Sequence, residues 1–150
     1  MPQSIPYQLS QAVFLALQDA PDLAGVTFID NPTSPAELND GERVLFIEDK
    51  GDDRRSQEGQ AEARTFTLTV GTINRTESAR AGADADMELA RAILVQSAFD
   101  IGRGLVAAKK LTGFSAPREG KRGYRVEGVD IGGALVWTDF EIDYRMPARR

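Results

Sequence analysis

Residues 134–144 read Ala-Leu-Val-Trp-Thr-Asp-Phe-Glu-Ile-Asp-Tyr, and their alternation decides the fold. Val136, Thr138, Phe140, Ile142 and Tyr144 interleave with Leu135, Trp137, Asp139, Glu141 and Asp143. A period of two sends each set to its own side of a pleated strand. One side is mostly apolar. The other carries three acids in a row. Such a strand needs paired neighbours and a second layer over its apolar side. Residues 64–73 supply one neighbour: Phe66, Leu68 and Val70 alternate with Thr65, Thr67 and Thr69. Arg43-Val44-Leu45-Phe46-Ile47-Glu48 is a continuous apolar run, which predicts a strand covered on both faces. Val26–Ile29 and Tyr124–Ile131 are shorter strand candidates, and Gly132-Gly133 turns or bulges the chain before the last strand.

The covering layer comes from two helices. Ser10 is expected to cap one over Gln11–Ala20, with Val13, Phe14 and Leu17 at helical spacing and Pro21 as the stop. The other is expected over Glu77–Ile101. Met87, Ala90, Ile93, Leu94, Ala98 and Ile101 form its apolar stripe, and Gly102 and Gly104 end it. Its first half is rich in small residues (Ala79, Ala81, Ala83, Ala85), which permits close packing. Asn31–Gly41 reads as loop, and Lys109–Gly123 as a basic loop with short extended pieces. Residues 49–63 are nearly all polar or charged, so the stretch is expected as a long mobile charged loop within a hairpin. The order α-β-β-β-α-β-β predicts an α+β fold in one domain spanning 1–150. Its core is a single mainly antiparallel (mixed) sheet of about four to five strands packed by two main helices.

Composition narrows the chemistry. The chain has no His and no Cys, which removes Ser-His-Asp and Cys-His nucleophiles, Cys-bound metals, disulfides and the usual proton shuttle near neutral pH. No apolar run approaches the roughly 20 residues of a spanning helix, and the first residues lack the basic and apolar regions of a secretion signal. No membrane partner is expected. Charge is uneven. Asp19, Asp22, Asp30, Glu37, Asp40 and Glu42 precede the first cation, Arg43, whereas Arg103, Lys109, Lys110, Arg118, Lys121, Arg122 and Arg125 face a lone Glu119 later on. Opposed charge on one small domain suits head-to-tail self-association or a charged partner.

The candidate catalytic patterns have simpler readings. Asp84, Asp86 and Glu88 are spaced so that Asp84 and Glu88 share a helix face and Asp86 points away, which fits a solvated acidic face better than a calcium loop. Around Asp49, Asp52 and Asp53, the cations Lys50, Arg54 and Arg55 pair with the acids and leave no ligand pattern. Gly102-Arg103-Gly104 follows a helix instead of opening one, so it is no dinucleotide fingerprint. Asp139, Glu141 and Asp143 allow a carboxylate-dependent hydrolase only as a remote alternative. The basic stretch lacks a nucleic-acid motif and permits no more than non-specific contact with passing DNA. The expectation is a protein that is not an enzyme and holds no metal or cofactor.

The whole chain resembles the tail terminator, or tail completion, proteins of long-tailed bacteriophages. The resemblance is carried by the first helix ending in Asp19-Ala-Pro21-Asp-Leu23-Ala-Gly25-Val26, by Arg64-Thr-Phe66-Thr-Leu68-Thr-Val70-Gly71, and by Ala83-Asp84-Ala85-Asp86-Met87-Glu88. The endings Ile131-Gly-Gly-Ala134-Leu135 and Phe140-Glu-Ile142-Asp-Tyr144-Arg145-Met-Pro147 complete it. It implies a structural virion protein, made in the host cytoplasm, that forms a homo-hexameric ring on the head-proximal end of the tail. The ring stops tube polymerisation and offers the surface for head joining. The implied partners are a second copy of the chain, the tail tube protein, and a head–tail connector or head-completion protein. A connector, head-completion or tube role for this chain is the alternative. From charge and exposure, Asp52, Asp53, Arg54, Arg55 and Glu58 are expected at the tube, and Lys109, Lys110, Lys121 and Arg122 at a subunit or connector contact.

Overall fold

The computed structural model describes residues 3–39, 41–58, 61–126 and 133–147. Its elements run α1 (Ile5–Asp19), β1 (Thr27–Asp30), β2 (Arg43–Glu58), β3 (Ala61–Asn74), α2 (Ala79–Ala107), β4 (Gly113–Phe114), β5 (Arg118–Val126) and β6 (Ala134–Met146). Short 3₁₀ turns at Pro21–Leu23 and Pro35–Asn39 link the early elements. The fold is α+β: two helices on one mixed sheet of six strands, ordered β1-β2-β3-β6-β4, with β5 also paired to β6. Among the described residues only β1 and β2 are parallel, and every other pair is antiparallel.

The centre of the sheet follows from the alternating sequences. β6 pairs with β3 from Ala134 opposite Asn74 to Met146 opposite Glu62. In that register Phe66 faces Ile142 and Leu68 faces Phe140, so both apolar rows fall on one side. Both helices lie on that side. α1 buries Ile5, Leu9, Val13 and Leu17 at intervals of four, and α2 buries Ala83, Met87, Ala90, Leu94, Ala98 and Leu105. These close over Leu45, Ile47, Phe66, Leu68, Val70, Val136, Phe140 and Ile142. A smaller cluster of Val44, Phe46 and Ile73, with Ile29, Leu38 and Leu135, covers part of the other side. Val44–Ile47, the apolar centre of the run Arg43–Glu48, is therefore buried on both faces, as its continuous apolar sequence requires.

Four local expectations need correction. The first helix starts earlier, at Ile5. Ser4 caps it by accepting from the Tyr7 amide at 3.2 Å, and Pro6 sits in the first turn, where no backbone donor is needed. Ser10 is instead buried inside the helix and donates to Asp49 at 2.7 Å. The second helix does not stop at Gly102 but continues to Ala107. Gly102 lies against the Phe114 ring: a Cβ there would be 2.2 Å from a ring carbon, so this glycine makes room for a side chain from β4.

The third correction concerns residues 49–63. They are strand for almost their whole length, with Asp52 opposite Phe66, Asp53 opposite Thr65 and Glu58 opposite Ala61. Register shifts at Asp49/Gly51 and Arg54/Ser56 absorb the irregularity. The polar sequence tolerates pairing because the ladder uses backbone groups, while Asp52 and Arg64 satisfy each other across the strands at 2.7 Å. Finally, the basic stretch after α2 is not all loop. It forms β4 and the first two-thirds of β5 along the far edge of β6.

Candidate functional site

The helices divide the molecule into two flanks. α1 sits over the β1–β2 side: Gln11 donates to Asp30 at 2.9 Å, and Phe14 meets Phe28 edge-on with centroids 6.4 Å apart. α2 sits over β3 and β6 and reaches the opposite edge, where Phe114 covers Gly102 and Arg122 of β5 donates to Glu88 at 2.7 Å. The acidic N-terminal region, which has no Lys or Arg before Arg43, thus forms one flank. The basic segment around residues 103–125 forms the other.

The residues expected at partner contacts do not all remain available. Asp52 accepts from Arg64 Nε at 2.7 Å and from the Tyr144 hydroxyl at 2.7 Å. Burial, then the bond to Asp52, pushes the Tyr144 hydroxyl well above its ordinary pKa. Arg64 also holds Glu62 at 2.8 Å. Asp52 is therefore a brace inside the hairpin. Asp53 and Arg54 are exposed on β2, Arg55 reaches Asp143 at 3.5 Å, and the side chain of Glu58 lies outside the described residues. Lys109 and Lys110 stand exposed in the turn after α2, with Lys109 at φ 63. Lys121 lies over the Trp137 ring at 5.9 Å. Arg122 is enclosed by Glu88 at 2.7 Å, Glu119 at 2.8 Å and Asp84 at 3.7 Å. Its hydrogen bond holds the Glu88 carboxyl below the usual range.

The acid row of β6 lies on the side of the sheet away from the helices, and neighbouring donors meet it. Thr69 donates to Asp139, Thr65 donates to Asp143 at 2.6 Å, and Arg118 bridges Glu141 and Asp143. Burial raises the Asp143 pKa, but the bonds from Thr65 and Arg118 outweigh it and the net shift is downward. Glu37 is likewise lowered, by the backbone amides of Ser34 and Thr33. Glu37, Glu88 and Asp143 are thus held as anions, which is the wrong direction for a general acid. Among the described residues no group of three acidic ligands is placed to hold a metal ion.

Asp86, which the spacing turns away from Asp84 and Glu88, has a structural partner that the sequence reading did not assign. Asp86 is buried on the sheet side of α2 and accepts from Arg43 at 2.7 and 3.1 Å. Arg43 spans further, donating to the Ala24 carbonyl at 3.2 Å. The spacing of Asp84, Asp86 and Glu88 already sets Asp86 apart from its neighbours, and Arg43 is the first cation available to it.

A cleft of about 520 Å³ opens on the α2–β4 flank, lined by Phe99, Arg103, Val106, Ala107, Gly113 and Phe114. Arg103 lies 5.7 Å from the Phe99 ring centroid, which makes the cleft both apolar and cationic.

No protein-family model matches the chain, and no curated protein matches it either. Among solved structures it is similar to a chain of the virion of a native gene transfer agent particle. That similarity spans 96% of this chain and 98% of the other, at 15% identity and a TM-score of 0.46. No helix among the described residues is long and apolar enough to cross a membrane.

Proposed function

We propose that this chain is a structural virion protein without enzymatic activity. It forms a homo-hexameric ring that caps a phage tail tube at its head-proximal end, stops polymerisation and presents the surface for head joining. The observation that supports this reading best is the division of charge between opposite flanks. A ring of identical subunits is closed by heterologous contacts, each joining two unlike surfaces of the same chain. One acidic flank and one basic flank, at opposite edges of a single sheet, meet that requirement. In this reading Asp53, Arg54, Arg55 and Glu58, near the end of the β2–β3 hairpin, touch the tube, with Asp52 holding the hairpin's shape. Lys109, Lys110 and Lys121 serve the subunit or connector contact.

Purified tail tubes mixed with the chain and imaged by electron microscopy test the proposal. A single cap at one tube end, with growth arrested, is the expected result. Rings that stack and extend the tube assign a tube role instead. Binding to a head connector with bare tube ends assigns a connector role.

A further inference from the structure

We infer that α1 of one copy docks into the α2–β4 cleft of the next, with Leu15 and Tyr7 as apolar anchors and Asp19 and Asp22 facing Arg103, Lys109 and Lys110. Among the described residues, five large apolar side chains are strongly exposed: Tyr7 (45%), Leu15 (55%), Phe99 (40%), Val106 (39%) and Tyr124 (51%). Tyr124 lies apart from the rest, against the first turns of α2, with Arg80 5.8 Å over its ring and its hydroxyl donating to Asp84 at 3.4 Å. The other four fall into two patches. Tyr7 and Leu15 lie two helical turns apart on α1, so they share its solvent side. Phe99 and Val106 line the cleft on the opposite flank.

Charge identifies the occupant. α1 contains no cation, and the acids Asp19 and Asp22 follow its exposed stripe. The cleft carries Arg103 at its wall and the exposed pair Lys109 and Lys110 just past the end of α2. None of these five charged side chains has an ion-pair partner among the described residues, whereas Arg118 and Arg122 nearby are already satisfied. An apolar knob beside acids and an apolar cleft beside cations are complementary in both respects. Because they sit on opposite flanks of one chain, the partner is a second copy, joined head to tail. The inference rests on the ring reading only in taking that partner to be a second copy.

The absence of native Cys makes disulfide trapping clean. Gln18→Cys marks the α1 patch and Ala107→Cys the cleft; both positions are exposed, so the fold is retained and a melting curve verifies it. Under mild oxidation an equimolar mixture of the two single variants should give at least tenfold more cross-linked dimer than either alone. The chain carrying both cysteines should give a ladder of multimers. Adding Asp19→Lys and Asp22→Lys to one partner should cut the dimer roughly tenfold, and adding Lys109→Glu and Lys110→Glu to the other should restore it. Equal cross-linking by one single variant alone, no cross-linking in the mixture at about millimolar protein, or yields indifferent to the reversals would overturn the inference. Caps on tube ends without the ladder would sink this interface but keep the terminator reading. A ladder without caps would do the reverse.

Discussion

On the helix side of the sheet, Phe66, Leu68, Phe140 and Ile142 are closed off almost completely by α1 and α2. On the bare side, the residues that alternate with them are Thr65, Thr67, Asp139, Glu141 and Asp143, held by short hydrogen bonds and by Arg118. The two sides share the same backbone and the same register, yet different forces act on them. Burial of apolar area dominates the first, and directional polar contacts, screened by water, dominate the second. Changes under the helices should therefore cost stability, while changes on the bare side and along the flanks should mainly alter what the protein binds.

The largest expected effect breaks the helix side. Phe140→Ala or Phe66→Ala should lower unfolding free energy by about 3–5 kcal/mol, read by urea titration. A loss below about 1 kcal/mol would mean the ring contributes little to the core. Next comes the Arg43–Asp86 pair. Asp86→Ala leaves Arg43 partly buried without its carboxylate. The expected loss is about 2 kcal/mol, less than for a fully buried pair because the Arg43 side chain is 32% exposed.

Between the two regimes lie the places where a flat ring crosses the bare side. A Cβ on Gly71 would lie 2.2 Å from Phe46, and one on Gly123 the same distance from Trp137. Gly71→Ala should cost roughly 1–2 kcal/mol by overpacking, and Phe46→Leu in the same chain should recover part of it. Arg118→Ala, which removes the half-exposed cation of β5 that bridges the acid row, should change stability by less than about 1 kcal/mol, with the difference shrinking as salt rises.

Acid should expose the same contrast. Glu88 and Asp143 have folded pKa values below their unfolded ones. Their contribution is complete above the unfolded values, near pH 4, and disappears as pH falls through the lower folded values. Thermal melts from pH 7 to pH 2 should show a decline that begins below about pH 5. Glu88→Gln should flatten part of it.

What the sequence reveals follows the range of the forces involved. β6 and β3 were legible because a period of two in fourteen or fewer residues records which side is buried. The acid row on one face of β6 was legible for the same reason, as was the separation of Asp86 from Asp84 and Glu88. The strand character of Asp49–Glu58 was not. Its polarity reads locally as loop, and the side chains that make pairing tolerable, Arg64 and Tyr144, arrive from two other strands. The helix stop at Gly102 failed because a tertiary demand, space for Phe114, overrides a local signal. The parallel pairing of β1 with β2 and the two-residue strand β4 are likewise long-range outcomes. Among the candidate contacts, charge runs marked an acidic and a basic segment of the chain. They could not distinguish Lys109 and Lys110, which stand free of ion pairs among the described residues, from Arg122, which three acids enclose.

The proposed ring requires unlike flanks of identical chains to meet head to tail and close. Native mass spectrometry of the chain, alone and after release from tail-tube ends, tests it most directly. A single discrete species of six copies is the predicted result. A symmetric dimer, or a distribution of sizes that keeps growing with concentration, would contradict it.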